Sequence, residues 1–149
     1  MIKIKSPHEI KLMAEAGQIA ELARRACGEL IAPGITTREL DNAARKVIEG
    51  FGAKPSFLGY GGFPASACVS VNDVVVHGIP SHDKILKDGD IVSVDLCAYK
   101  NGFHGDACRT FKIGNVAPEI EKLVKVTEEC FYKGIEGLRA GTPLFDIGY

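Results

Sequence analysis

Long apolar segments are absent from this 149-residue sequence, although 46% of its residues are hydrophobic. No run approaches the roughly 20 consecutive apolar residues that a membrane-spanning helix requires. The first residues, MIKIKSPHEIKLM, contain neither the apolar core nor the cleavage site of a secretory signal. The sequence therefore predicts a cytoplasmic protein without a membrane partner, and its length is typical of one domain.

An excess of charge is also missing, because 18 Lys and Arg oppose 19 Asp and Glu and give a net charge of −1. Such a balance does not favour nucleic acid or an acidic membrane surface as a partner. The five cysteines are odd in number and irregularly spaced. This pattern indicates reduced thiols rather than a disulfide framework.

Two capping boxes predict the starts of two helices, Ser6 with Glu9 and Thr36 with Glu39. Pro33-Gly34 would end the first helix, and Gly50 and Gly52 would end the second. Apolar residues recur at helical spacing after each start. They are Leu12, Ala16, Ile19, Ala20, Ala23, Cys27 and Leu30, then Leu40, Ala43, Ala44, Val47 and Ile48.

A different pattern follows between Pro55 and Pro80, where the run GYGGFP predicts a loop. Residues 67–71 and 74–77 predict two strands around Asn72-Asp73. His77 would then lie at the end of a strand. Taken alone, a histidine in that position is most simply interpreted as structural, and His82 is expected on the surface.

The segment DIVSVDLCAYKNGFHGDACRTFKI, residues 90–113, predicts a β-hairpin around Asn101-Gly102, a pair that suits a type I′ turn. A two-residue loop places Cys97 opposite Asp106 and Asp95 opposite Cys108. Because side chains alternate along a strand, one face would collect the polar residues. These are Ser93, Asp95, Cys97, Tyr99, His104, Asp106, Cys108 and Thr110.

Two carboxylates, Asp95 and Asp106, therefore converge beside apolar strands, where they require a counter-charge. A divalent metal ion would supply it. Two alternatives stay open: aspartates hydrogen-bonded to nearby backbone, and a zinc site that uses Cys97 and Cys108, although the sequence has no CxxC spacing.

Ala117-Pro118-Glu119 predicts a third helix, and Pro143 begins a further element. Shifting the sequence by 107 positions places residues 10–30 on residues 117–137 and Glu39-Leu40 on Asp146-Ile147. This weak similarity predicts a duplicated architecture. We expect residues 1–149 to form a single, truncated domain, with 1–113 as a first pseudo-repeat and 117–149 as the start of a second.

Two long motifs, GYGGFPASACVSVNDVVVHGIP and DGDIVSVDLCAYKNGFHGDACRTF, resemble the bacterial-type (type I) methionine aminopeptidases. The resemblance extends from the SPHEIKLMAEAG helix to the end of the chain. It implies the pita-bread fold of the creatinase and aminopeptidase class, α/β (α+β), in which two pseudo-symmetric halves surround a dinuclear metal site. The first half and the start of the second are expected here. The implied activity is removal of the initiator methionine by metal-activated water.

The resemblance also implies roles for individual residues. Asp95 and Asp106 match two aspartate ligands, of which Asp106 would bridge both metal ions. His77 matches a catalytic histidine that contacts the substrate without binding metal. The positions that line the methionine pocket correspond to Phe57, Tyr60, Phe63 and Cys68, and the family often has Cys in place of Phe57.

The cofactors implied are two divalent ions, Co, Mn, Fe or Zn, and the implied partner is the N-terminus of a nascent polypeptide, with the ribosome as a further candidate. The family's site has five ligands: two Asp, one His and two Glu. Only the aspartates have counterparts here, so we expect the chain alone to be inactive. Two alternatives are a non-catalytic peptide-binding module and a proline-specific peptidase of the same fold.

Overall fold

Both predicted capping boxes are formed and begin the first two helices. In the computed structural model, which describes residues 3–148, α1 spans Pro7–Leu30 and α2 spans Thr37–Gly50. Ser6 Oγ accepts a hydrogen bond from the backbone N–H of Glu9, whose carboxylate accepts the N–H of Ser6 at 2.7 Å. Thr36 and Glu39 repeat this exchange at α2. These bonds satisfy N–H groups that lack partners within the helix.

Four antiparallel strands form one sheet: β1 (Lys54–Pro55), β2 (Ala67–Val71), β3 (Ile91–Lys100) and β4 (Phe103–Lys112). The long strand β3 pairs with β4 along one edge, and with β2 and then β1 along the other. The β3–β4 register places Cys97 opposite Asp106 and Asp95 opposite Cys108. The hairpin predicted around Asn101-Gly102 is therefore confirmed.

One face of this sheet carries the hydrophobic core. Its alternate residues on β3 are Val92, Val94, Leu96 and Ala98, all fully buried. Helices α1 and α2 pack on this face and contribute buried side chains to the same cluster. Those side chains are Ile19, Ala20, Ala23, Cys27, Leu40, Ala44 and Ile48.

Gly105 permits the close approach of α1 to β4. A Cβ atom at this position would lie 2.2 Å from the carbonyl carbon of Ala16, closer than two atoms can pack. The backbones of helix and strand therefore touch where β4 carries Asp106. Only glycine fits this crossing.

The strand predicted for residues 74–77 is wrong. Asn72 takes a positive φ of 55°, and its side chain bonds to Asp90 and to the backbone N–H of Ile91, which turns the chain away from the sheet. The bond to the outer edge of β2 is made by Gly78 instead, whose carbonyl accepts the N–H of Val69. Residues 74–77 form an exposed loop in which Val75 is 86% exposed.

The chain divides into two compact units between Asn115 and Val116. In the second unit, α3 spans Pro118–Glu136 from the predicted start at Ala117, and a single 3₁₀ turn spans Leu144–Ile147. None of its described residues is buried, and its apolar residues Leu123, Phe131 and Phe145 are exposed. No helix within residues 3–148 is long and apolar enough to cross a membrane.

Candidate metal and substrate site

Asp95 and Asp106 lie on the sheet face opposite the helices, as diagonal neighbours of the β3–β4 ladder. Burial raises the pKa of Asp95 above its ordinary value, and the negative charge of Asp106 and a hydrogen bond between the two carboxyl groups raise it further. The charge of His77 acts in the opposite direction. Two acids in this arrangement favour a proton or a cation between them.

The remaining polar residues follow the predicted alternation. Ser93 Oγ and Thr110 Oγ1 are hydrogen-bonded at 2.7 Å across the hairpin. Nearer the turn, His104 Nδ1 lies 2.9 Å from Ser56 Oγ, and its ring lies 4.8 Å from that of Tyr99. Both carboxylates therefore belong to a continuous polar face, which the sequence predicted from the loop length alone.

His77 lies in the loop after β2 with a positive φ of 58°. The next residue, Gly78, fastens the loop to the edge of β2, because its carbonyl accepts the N–H of Val69 at 2.9 Å and its N–H donates to Ser70 Oγ at 3.1 Å. A Cβ at Gly78 would lie 2.3 Å from the Val69 carbonyl oxygen. This close attachment brings the imidazole near enough to Asp95 to affect its pKa.

Cys68 pairs with Asp95 across β2 and β3 and is buried. Burial, and then the negative charge of Asp95, raise the pKa of the Cys68 thiol to about 11. A thiol with this pKa stays protonated at neutral pH, so it offers a polarisable, weakly polar surface rather than a nucleophile. Burial likewise raises the pKa of Cys97.

The zinc alternative receives no support from the geometry. Among residues 3–148, no group of three or more His, Cys, Asp or Glu side chains is placed to hold a metal ion. Burial also raises the pKa of the Cys97 and Cys108 thiols, whereas zinc binds the deprotonated thiolate. The donor set that remains, two carboxylates, consists of hard oxygens that suit a divalent ion but provide only part of a coordination shell.

Phe57, Tyr60 and Phe63 lie together on one tight loop. The Tyr60 N–H donates to the Phe57 carbonyl, and the Phe63 N–H donates to the Tyr60 carbonyl. The loop is joined to the sheet where the Ser56 N–H donates to the Cys97 carbonyl at 2.8 Å. Phe57 and Phe63 are half-buried, but Tyr60 is 81% exposed, so its ring does not enclose a pocket.

Sequence reasoning missed a partly buried ion pair next to the start of β2. Arg38 Nη1 donates to Asp41 Oδ2 at 2.9 Å, and Asp41 is only 3% exposed. The signal was present in the helical period, since Asp41 shares a face of α2 with the buried Thr37, Ala44 and Ile48. An acid on the apolar face of a helix indicates a specific buried partner.

Comparison with known proteins agrees with this geometry. The model of metallopeptidase family M24 matches residues 11–149. A methionine aminopeptidase of Clostridium acetobutylicum is 48% identical over 149 residues, which are the whole of this chain and 60% of that protein. The chain thus spans less than two thirds of the length of this curated relative.

Solved structures give the same result. The crystal structure of methionine aminopeptidase from Rickettsia prowazekii matches with a TM-score of 0.96 and 40% identity, over all of this chain and 60% of that one. An Xaa-Pro dipeptidase from Bacillus anthracis matches with a TM-score of 0.79 and 28% identity, over 91% of this chain and 37% of its own. The predicted pita-bread fold is confirmed by these likenesses.

Proposed function

Because the chain belongs to metallopeptidase family M24, we propose that its site serves a metal-dependent aminopeptidase that removes the initiator methionine from nascent polypeptides. The observation that carries the proposal is the convergence of Asp95 and Asp106 on one polar face, beside His77 and Cys68. The higher identity to a methionine aminopeptidase, 40% against 28% for the Xaa-Pro dipeptidase, favours methionine over proline specificity.

Asp95 and Asp106 would hold divalent metal ions. Their fit is supported by the convergence of two carboxyl groups on one sheet face, where burial and the charge of Asp106 raise the pKa of Asp95. The chemistry that such ions supply when bound is activation of a water molecule and polarisation of the scissile carbonyl. Carboxylate oxygens suit Mn, Fe, Co and Zn, and we propose two ions from this group.

The chain's own residues would bind and orient the substrate. His77 would donate a hydrogen bond where negative charge develops on the carbonyl oxygen, a contribution worth about 10²–10³ in rate. The protonated Cys68 thiol, with Phe57 and Phe63, would contact the methionine side chain through soft, apolar surfaces. Tyr60 would complete this surface by moving from its exposed position.

We further propose that these 149 residues alone do not catalyse hydrolysis. Two carboxylates cannot fix two ions with the geometry that catalysis needs, and the described part of the chain places no third ligand near them. This observation also favours a second candidate function, in which the chain binds peptide N-termini without cutting them. The proposed cellular setting is the cytoplasm, near nascent chains at the ribosome.

A hybrid enzyme tests the proposal. Residues 1–149 would replace the matching part of the Clostridium acetobutylicum methionine aminopeptidase, whose remaining part supplies what this chain does not span. With Mn or Co, we expect the hybrid to hydrolyse Met-Gly-Met but not a prolyl dipeptide. Under the same conditions, the 149-residue chain should show no turnover. A hybrid that cleaved only the prolyl substrate would overturn the methionine assignment.

Variants of the hybrid assign the residues. Asp106→Asn should abolish activity, whereas Asp73→Asn, an exposed control with the same change of charge, should not. His77→Ala should lower kcat by about 10²–10³, with metal affinity retained, and the exposed His82→Ala should have no effect. Because the hybrid could fail to fold, Mn²⁺ titration of the chain itself is a second measurement. Equal Mn²⁺ binding by wild type and Asp106→Asn would refute the metal assignment.

A further inference from the structure

The carboxylate of Asp41 holds the first residues of β2. Its Oδ1 accepts the backbone N–H groups of Ser66 at 2.7 Å and Ala67 at 3.0 Å. Ala67 is the first residue of β2, and Cys68 follows it directly. The position of Cys68 on the polar face therefore depends on a side chain of α2.

The guanidinium of Arg38 joins this carboxylate to the far end of the His77 loop. Nη1 donates to Asp41 Oδ2 at 2.9 Å, and Nη2 donates to the carbonyl of Pro80 at 2.7 Å. The same end of α2 binds the next residue as well, because the Arg38 N–H and Thr37 Oγ1 both donate to the Ser81 carbonyl. The planar guanidinium group, through Asp41, thus connects the strand that carries Cys68 to the loop that carries His77.

Stability alone is a weak explanation for this ion pair. Burial of the Asp41 carboxylate costs free energy that its attraction to the partly exposed Arg38 only partly recovers, and well-packed apolar residues often stabilise a fold equally well. A guanidinium does provide fixed geometry, because its donors point in set directions to two acceptors at once. The loop it restrains, residues 72–80, has no regular secondary structure.

We propose that Arg38 and Asp41 are positioning residues that, together with the bonds of Gly78 to β2, set the separation between Cys68 and His77. The importance of that separation rests on the proposed function, since only there do these two residues contact one substrate. The geometric claim itself concerns the folded chain and requires no turnover. It predicts that loss of the Arg38 hydrogen bonds to Asp41 and Pro80 moves the His77 loop relative to β2, while the β3–β4 hairpin keeps its structure.

The test compares two Arg→Lys variants of the 149-residue chain. Arg38→Lys keeps the charge but cannot reach Asp41 and Pro80 with one planar group. Arg45→Lys is the matched control on the same helix, where the Arg45–Glu49 pair is half-exposed at the surface. The readouts are amide hydrogen exchange by NMR and the imidazole resonances of His77, assigned with His77→Gln.

The Gly78 N–H donates to Ser70 Oγ and the Ser81 N–H donates to Thr37 Oγ1, so faster exchange at these amides reports movement of the loop. We expect Arg38→Lys to accelerate exchange at least tenfold at both and to shift the His77 resonances. Amides of β3 and β4 should exchange as in the wild type, and Arg45→Lys should match the wild type throughout. Uniform acceleration across the whole sheet would show a purely structural role and would overturn the proposal. Unchanged His77 resonances in a folded Arg38→Lys variant would overturn it equally.

Asp41→Asn tests the contact of Asp41 with β2 separately from its contact with Arg38. It also replaces Arg38→Lys if that variant does not fold. The amide oxygen can still accept the N–H groups of Ser66 and Ala67, but the charge that faces Arg38 is lost. Protection should persist at Ser66 and Ala67 and decrease at Ser81. Loss of protection from exchange at Ser66, Ala67 and Ser81 together would show that Asp41 has no separate connection to the His77 loop. These results are distinct from a failed peptidase assay, because none of them depends on substrate hydrolysis.

Discussion

At the scale of single residues, the candidate site works against the stability of the metal-free fold. Asp95 is partly buried beside another carboxyl group. Its burial, and then the negative charge of Asp106, raise its pKa. His77 occupies a backbone conformation that non-glycine residues rarely adopt. Strain and unbalanced charge of this kind are typical of functional sites, where they are offset by the rest of the fold.

The raised pKa of Asp95 predicts an unusual pH dependence. A carboxyl whose pKa is higher in the folded state than in the unfolded state binds protons more tightly when folded, so the free energy of unfolding decreases as pH rises through that window. Asp95→Asn should therefore raise the Tm of the metal-free chain at pH 7, and the difference should disappear at acidic pH, where Asp95 is protonated in both states. Thermal melts at several pH values check this, with Asp73→Asn as control. A lower Tm for Asp95→Asn at pH 7 would contradict it.

At the scale of elements, the hairpin was predictable because a two-residue loop leaves only one register. Asn101 and Gly102 both take the positive φ that a type I′ turn requires, so the pairing of Asp95 with Cys108 follows. The strand expected over residues 74–77 was wrong because β-propensity does not reveal where the chain runs after a turn. Val74, Val75 and Val76 have the composition of a strand, yet Asn72 turns the chain away and the outer edge of β2 bonds to Gly78 instead.

The connection from α2 to the site could not be predicted in full for a similar reason. Helical periodicity places Asp41 on the buried face of α2, but Pro80 lies 42 residues away from Arg38 in the chain. No local pattern indicates which carbonyl will meet the guanidinium. The parts of the site that depend on strand alternation are therefore readable from sequence, whereas those that depend on contacts between elements are not.

The crossing of α1 over β4 provides a test at this scale. Gly105→Ala would place a Cβ 2.2 Å from the Ala16 carbonyl carbon, so helix and strand must separate. Overpacking typically costs about 1–3 kcal/mol, and contact with backbone leaves little room to relax. The matched control is Gly17→Ala in α1, which meets no atom within 4 Å and should be neutral or stabilising by up to about 1 kcal/mol. Urea unfolding measures both, and equal stability of the two variants would contradict the close crossing.

At the scale of the whole molecule, the two units differ sharply in how much they bury. Every buried side chain among residues 3–148 precedes Val116, and the last of them is Ile113. The first unit has a sheet, two covering helices and one continuous core. The second has a helix whose apolar residues remain exposed, so its own contacts provide little hydrophobic stabilisation.

This difference predicts that the first unit folds without the second. A chain ending at Asn115 keeps the whole buried cluster, so we expect a cooperative melt with a Tm within about 4 °C of the 149-residue chain, the shift that roughly 1 kcal/mol produces in a domain of this size. A chain ending at Gly102 is the matched control. It lacks β4 and leaves the core residues of β3 uncovered along one edge, so it should show no cooperative transition. Thermal melts of the three chains, followed by circular dichroism, test this prediction. A chain ending at Asn115 that melted much earlier or without cooperativity would contradict the prediction, because the first unit would then need residues 116–149 for its stability.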